Sequence, residues 1–157
     1  MSPKPSTGTP EVANSTPTAE ASREGAGEKP PQIRFGPKII EFPSFNWSVD
    51  LDSKPPLVIE TSTRGTDLGI SCCSLSLGTI NGEGRLAPLP SSGPDPSEAE
   101  CAEQIQTNGT YNLHLIKGAR YCAVTREGRT VYVRAVAAQP EGEGVVRLEV
   151  TVWELPS

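Results

Sequence analysis

The residues of this 157-residue chain whose types and spacing invite chemistry are four cysteines, one histidine and a close pair of aspartates. Cys72 and Cys73 stand side by side in "ISCCSLSL". A strand sends neighbouring side chains to opposite faces, so both sulfurs cannot enter one core. Structural zinc sites take ligand pairs spaced two to four residues apart on tight turns, which adjacent cysteines do not supply. Cys101 and Cys122 are isolated from each other, and His114 is the sole histidine, so we assign no metal site. Asp50 and Asp52 flank Leu51 and share one face of a strand end. Paired carboxylates can serve acid–base catalysis, but Asp-x-Asp ahead of "SKPP" reads as a solvated turn. His114 alternates with Leu113 and Leu115, which places it on a sheet face near solvent. No G-x-S-x-G, H-E-x-x-H or phosphate-cradling G-x-x-x-x-G-K-[ST] occurs, and "GTINGEG" has no helix behind it and reads as a hairpin loop. We therefore expect no catalytic residues and no cofactor.

The elements that must position these residues are short and mostly extended. "FNWSVDL" alternates, with Phe45, Trp47, Val49 and Leu51 on one face. "PLVIET", "DLGISCCSLSL", "GRLAPLP", "YNLHLIKG", "ARYCAVT", "RTVYVRAVAA" and "VVRLEVTVWE" follow, separated by "KPP", "TRGT", "NGEG", "REG" and "QPEGEG". Many short strands at regular spacing predict an all-β fold, a small antiparallel sandwich or barrel. The last three strands read as a meander, with Gly128 taking positive φ in the "TREGRT" hairpin. Val146, Leu148, Val150 and Val152 form one face of the final strand. Val131, Val133, Ala135 and Ala137 form the corresponding face of the strand before it.

One short helix interrupts the strands. "DPSEAECAEQI" offers Asp95 as N-cap, Pro96 at the first helical position and Glu98 three residues on. Cys101, Ala102 and Ile105 share its inward face, and Asn108-Gly109 ends it. Packed across the sheet, this helix can bring Cys101 to Cys122. We expect that bridge, which closes a loop worth roughly 3 kcal/mol in the chain-entropy model. The alternative is two reduced, buried thiols. Around Cys72 and Cys73 the apolar phase changes. Leu68, Ile70 and Cys72 lie on one face, and Cys73, Leu75 and Leu77 on the other. That pattern predicts a β-bulge or a short turn between two half-strands. The pair are candidate spare thiols, with a vicinal bridge or a bridge to one of the other cysteines as alternatives.

Tyr132, Arg134 and Trp153 fall on the outer faces of neighbouring strands. Aromatics with arginine are enriched at interface hot spots, so they form a candidate binding surface. The competing arrangement covers that face with the helix or a second sheet and makes Trp153 a core residue.

Composition narrows the partners. The formal net charge is −5 and the basic residues are scattered singly, which argues against nucleic-acid backbone as a partner. No apolar run approaches the roughly 18 residues of a membrane helix. The N-terminus carries no signal-peptide pattern. Only 35 % of residues are hydrophobic, and the deficit lies in the first thirty. Residues 1–35, rich in Pro, Ser, Thr and Glu, read as a disordered tail or linker, and residues 36–157 as the β-rich domain. N-x-[ST] sequons at Asn14, Asn46 and Asn108 have meaning only in a eukaryotic secretory route.

Taken together, "FNWSVDL", "DLGISCC", "GRLAPLP", "SEAECAEQI", "GARYCAVTREGRTVYVRAV" and "LEVTVWE" resemble the small β-rich C-terminal modules of actinobacterial secreted and membrane-anchored proteins. The resemblance spans roughly Phe42 to Leu155. It is best over Gly118–Arg129 and Val150–Glu154. It implies an exported module, supports pairing Cys101 with Cys122, and brings no catalytic residue. The expected function is a non-enzymatic, extracytoplasmic binding or sensor module on a flexible tether, monomeric and recognising a protein or cell-surface ligand. It would be extracellular or cell-surface if exported within a larger protein. The alternatives are an assembly subunit that associates through sheet edges, or a small hydrolase-like enzyme.

Overall fold

Alternating Val, Leu and Ala on the C-terminal strands build the centre of the molecule in a computed structural model of the chain. The residues described are 30–43, 46–60, 66–71, 76–79, 85–138 and 145–156. Pro31–Leu155 gather into one unit. Residues 1–29 of the expected tail lie outside the described residues, as do Phe45, Cys72, Cys73 and Leu75.

Ten strands and one helix follow in chain order: β1 (Ile33–Phe42), β2 (Trp47–Asp50), β3 (Leu57–Glu60), β4 (Leu68–Ser71), β5 (Ser76–Thr79), β6 (Leu86–Leu89), α1 (Glu98–Asn108), β7 (Asn112–His114), β8 (Arg120–Val124), β9 (Thr130–Ala138) and β10 (Val146–Trp153). They form two five-stranded antiparallel sheets, ordered β1-β10-β9-β8-β6 and β3-β2-β4-β5-β7. The inner faces meet in one core. Val131, Val133, Leu148, Val150 and Val152 come from the first sheet, and Val49, Leu68, Ile70 and Leu77 from the second. This is the all-β antiparallel sandwich with a short helix that the strand spacing predicts. Among the described residues, no helix is long and apolar enough to cross a membrane.

Sequence and structure part company at three places. β1 is absent from the sequence reading and begins at Ile33, ahead of the expected boundary at 36. Gly36 and Pro37 interrupt its alternation, and its pairing with β10 slips between Phe35 and Lys38. Gly36 holds φ +88 there, and a Cβ built on it would lie 2.0 Å from the Val150 carbonyl oxygen, so the slip demands glycine. In β9 the register shifts where Leu148 faces Ala135 and Arg147 faces Ala137. Opposed residues share a face, so Ala137 turns outward and Ala138 packs on the core instead.

The helix starts later than expected. Its N-cap is Ser97, whose Oγ accepts from the Glu100 amide at 3.1 Å while the Glu100 carboxylate accepts from the Ser97 amide at 2.8 Å. Asp95 is engaged elsewhere, accepting from the Tyr132 hydroxyl at 3.0 Å. β4 and β5 are separate strands paired antiparallel, which agrees with two half-strands.

Candidate functional site

Two polar constellations emerge, one on the outer face of the first sheet and one at an end of the sandwich.

On the outer face, α1 lies across β6, β8 and β9. Cys101 and Cys122 form a disulfide with Cα atoms 5.2 Å apart, and both are fully buried. Tyr132 and Trp153 join them in a second, smaller core, with Leu89 and Ile105 packed alongside. The covered arrangement of this face therefore holds: Tyr132 and Trp153 are core residues beneath the helix, not a free binding surface. Arg134 lies farther along β9, half-exposed, and pairs with Glu149 at 2.9 Å.

Arg120 organises the loop that leads into α1. Its guanidinium donates to the carbonyls of Pro90 at 2.7 Å, Ser92 at 2.8 Å and Pro94 at 2.9 Å, and more distantly to Gly93 at 3.4 Å. A further bond at 3.3 Å reaches the Tyr132 hydroxyl. Burial raises the pKa of that hydroxyl, with Asp95 adding to the rise and Arg120 opposing it. A buried planar cation with five donors suits a ring of carbonyls. A groove of about 450 Å3 opens above it, lined by Pro94, Pro96, Glu100, Glu103, Gln104 and Thr107. In the sequence nothing sets Arg120 apart from the other singly scattered basic residues.

At one end of the sandwich, three carboxylates converge from the two ends of the β2–β4 segment. Asp50, Asp52 and Asp67 each place an oxygen within 4.8 Å of the others. Asp50 makes an Asx-type turn, accepting from the Asp52 amide at 3.0 Å and the Ser53 hydroxyl at 2.9 Å. Asp52 reaches across to the β8–β9 hairpin. It accepts from the Thr125 hydroxyl at 2.7 Å, the Glu127 amide at 3.1 Å and the Arg129 guanidinium at 2.8 Å. Arg129 also meets Glu127 at 2.7 Å and Glu154 at 3.5 Å. Its hydrogen bonds to Asp52, first, and to Glu127 raise its pKa above the ordinary guanidinium value. Arg34 closes the ring, donating to the Asp52 carbonyl at 2.9 Å and to Glu154 at 3.3 Å.

Asp67 is the deepest of the three. One oxygen accepts from the Leu51 amide at 2.6 Å and the other from the Arg126 amide at 2.7 Å. Burial raises its pKa to about 6; the two amides pull it down, and the charges of Asp52 and Asp50 push it up. Oxygens at this spacing suit a hard divalent cation in principle. Here they are spent on backbone amides, hydroxyls and Arg129, so the cluster reads as a bracket fastening the second sheet to the hairpin of the first.

The expected solvated Asp-x-Asp turn is thus half right: Asp50 shapes the turn, but Asp52 is largely buried against the hairpin. His114 is exposed on β7, three strand positions from β2 in its sheet, roughly 14 Å at ordinary strand spacing. It does not join the aspartates in one cleft. Asp67, Thr125 and Arg129 escaped the sequence reading. Their only signal was polarity at the edges of two apolar strands. No protein family, curated protein or solved structure matches the chain.

Proposed function

We propose that the chain is a non-enzymatic binding or sensor module that works outside the cytoplasm on a flexible tether. The observation that carries the reading is the Cys101–Cys122 bridge, which fixes α1 over the sheet and suits an oxidising compartment. The resemblance to exported actinobacterial modules points the same way. The commitment of Asp50, Asp52 and Asp67 to internal hydrogen bonds favours a framework role over acid–base catalysis. Tyr111 and Ile116, more than half exposed at the two ends of β7, are the side chains we assign to a protein or cell-surface partner.

Thiol alkylation followed by mass spectrometry on fractionated producing cells tests the reading. The expected result is an exported chain with Cys101 and Cys122 oxidised; a cytosolic chain with both thiols alkylated overturns it. A second reading, assembly through sheet edges, draws on β1, an edge strand whose Ile33 and Ile39 are about half exposed. Sedimentation across a wide concentration range separates the two: a monomer favours the binding module, a stable dimer the assembly subunit.

A further inference from the structure

We propose that Asp67 is an acid-tightened latch: its carboxyl group holds the Thr125–Arg129 hairpin against the β2 turn most firmly when protonated, and the hairpin detaches more readily once it ionises. This goes beyond the binding reading and does not depend on what the module binds.

The geometry supplies the latch. Asp67 is 6 % exposed, and its two oxygens are divided between elements of different sheets. One takes the amide of Leu51 at the end of β2, and the other the amide of Arg126 in the β8–β9 hairpin. Opening the hairpin away from the β2 turn breaks the second bond and lets water reach the carboxyl group.

The surrounding charges set the sign. Asp50 and Asp52 face it from β2 and its turn, each with an oxygen within 4.8 Å. The hairpin contributes Arg126, Glu127 and Arg129, and the ends of β1 and β10 contribute Arg34 and Glu154. The cation of Arg129 is turned to Asp52, Glu127 and Glu154, and that of Arg34 to Glu154 and the Asp52 carbonyl. Among the described residues, no ion pair joins Arg126 to Asp67; only its backbone amide reaches the carboxylate. An ionised Asp67 in the closed state is therefore buried beside two like charges without a cation of its own; the Leu51 and Arg126 amides favour its charged form, but burial, first, and the like charges outweigh them. A protonated Asp67 loses that repulsion. The closed state consequently binds the proton more tightly than the open one, and acid favours closure.

These same influences place the closed-state value at about 6, against the ordinary value of 3.8 that the group regains in water. The responsive window lies between those two values, and above it the open fraction reaches a plateau.

Carbon-13 detection of the Asp67 carboxyl resonance, together with amide exchange at Arg126 corrected for intrinsic chemistry, tests the latch on the full chain. We expect the carboxyl to titrate near pH 6 and the opening equilibrium of the hairpin to rise roughly tenfold or more between about pH 4.5 and 6.5, then level off. In Asp67→Asn the opening equilibrium should not vary over that range. A wild-type carboxyl midpoint below about pH 4.5, or wild-type opening that ignores pH, overturns the proposal, whether or not the variant folds.

Discussion

Asp52 and Arg129 meet at 2.8 Å with their side chains about nine-tenths buried, and they join the turn after β2 to the hairpin between β8 and β9. Neither belongs to a strand, yet together they decide how the two sheets are fastened at this end. Removing Arg129 leaves the buried Asp52 carboxylate held only by the Thr125 hydroxyl and the Glu127 amide. Removing the Asp52 charge leaves Arg129 paired with Glu127 and Glu154, so the first loss is the larger. Arg129→Met is expected to lower stability by about 2–4 kcal/mol, and Asp52→Asn by about 1–3. The double variant should cost less than the sum. Urea unfolding across the four proteins measures the coupling; strictly additive losses would show that the pair carries no interaction of its own.

The Cys101–Cys122 bridge spans 21 residues of chain and pins α1 over Tyr132 and Trp153. Cys101→Ala with Cys122→Ala should reduce stability by about 3 kcal/mol in the chain-entropy model. The loss should concentrate on the helix. Trp153 lies at the boundary of that small core, so its fluorescence should shift red as α1 loosens, well before the main sandwich unfolds. A single coincident transition by fluorescence and far-ultraviolet circular dichroism would show instead that helix and sandwich form one cooperative unit.

What was legible in the sequence was periodic. Val146, Leu148, Val150 and Val152 alternate without interruption, and all are buried. Cys101 on the inward helical face and Cys122 on a strand were likewise within reach, because each pattern fixes a face. The rest fails where a local rule meets a tertiary one. Gly36-Pro37 breaks the period of β1, and only the Val150 carbonyl behind it shows why. The sequence reads Asp95 as the cap, but its carboxylate accepts from the Tyr132 hydroxyl, and the helix starts at Ser97 instead. Asp67 looks like any polar residue before a strand; its burial depends on a hairpin some sixty residues later that no periodicity connects to it.

Gly36→Ala tests that hidden junction directly. The new methyl would meet the Val150 carbonyl oxygen at 2.0 Å, with backbone as the obstacle and φ at +88. We expect a loss of roughly 2 kcal/mol or more, with β1 the first strand to exchange its amides. A control at Gly118, whose φ of +89 is similar but where no atom lies within 4 Å of the added Cβ, separates strain from collision. Gly118→Ala should cost only the strain, about 1 kcal/mol. Equal losses at the two sites would assign the whole effect to backbone conformation and none to the close approach.

Asp67 also makes global stability depend on pH, and the sign is opposite to that of a salt-bridged aspartate. Its value in the folded chain is about 6, above the ordinary 3.8, so the folded state holds the proton more tightly than the unfolded state does. The associated stability is fully present below the lower value and is lost as pH rises through the higher one. The difference amounts to about 3 kcal/mol as an upper figure, since water entry on partial opening reduces it. Urea unfolding at pH 5 and pH 7.5 should therefore show wild type losing more stability on going to the higher pH than Asp67→Asn does, by about 1–2 kcal/mol. Comparing the two proteins cancels the titration of Asp52, Glu127 and Glu154, which both share. If the variant loses as much as wild type, the pH dependence belongs to those other carboxylates and Asp67 is already ionised without penalty in the folded chain.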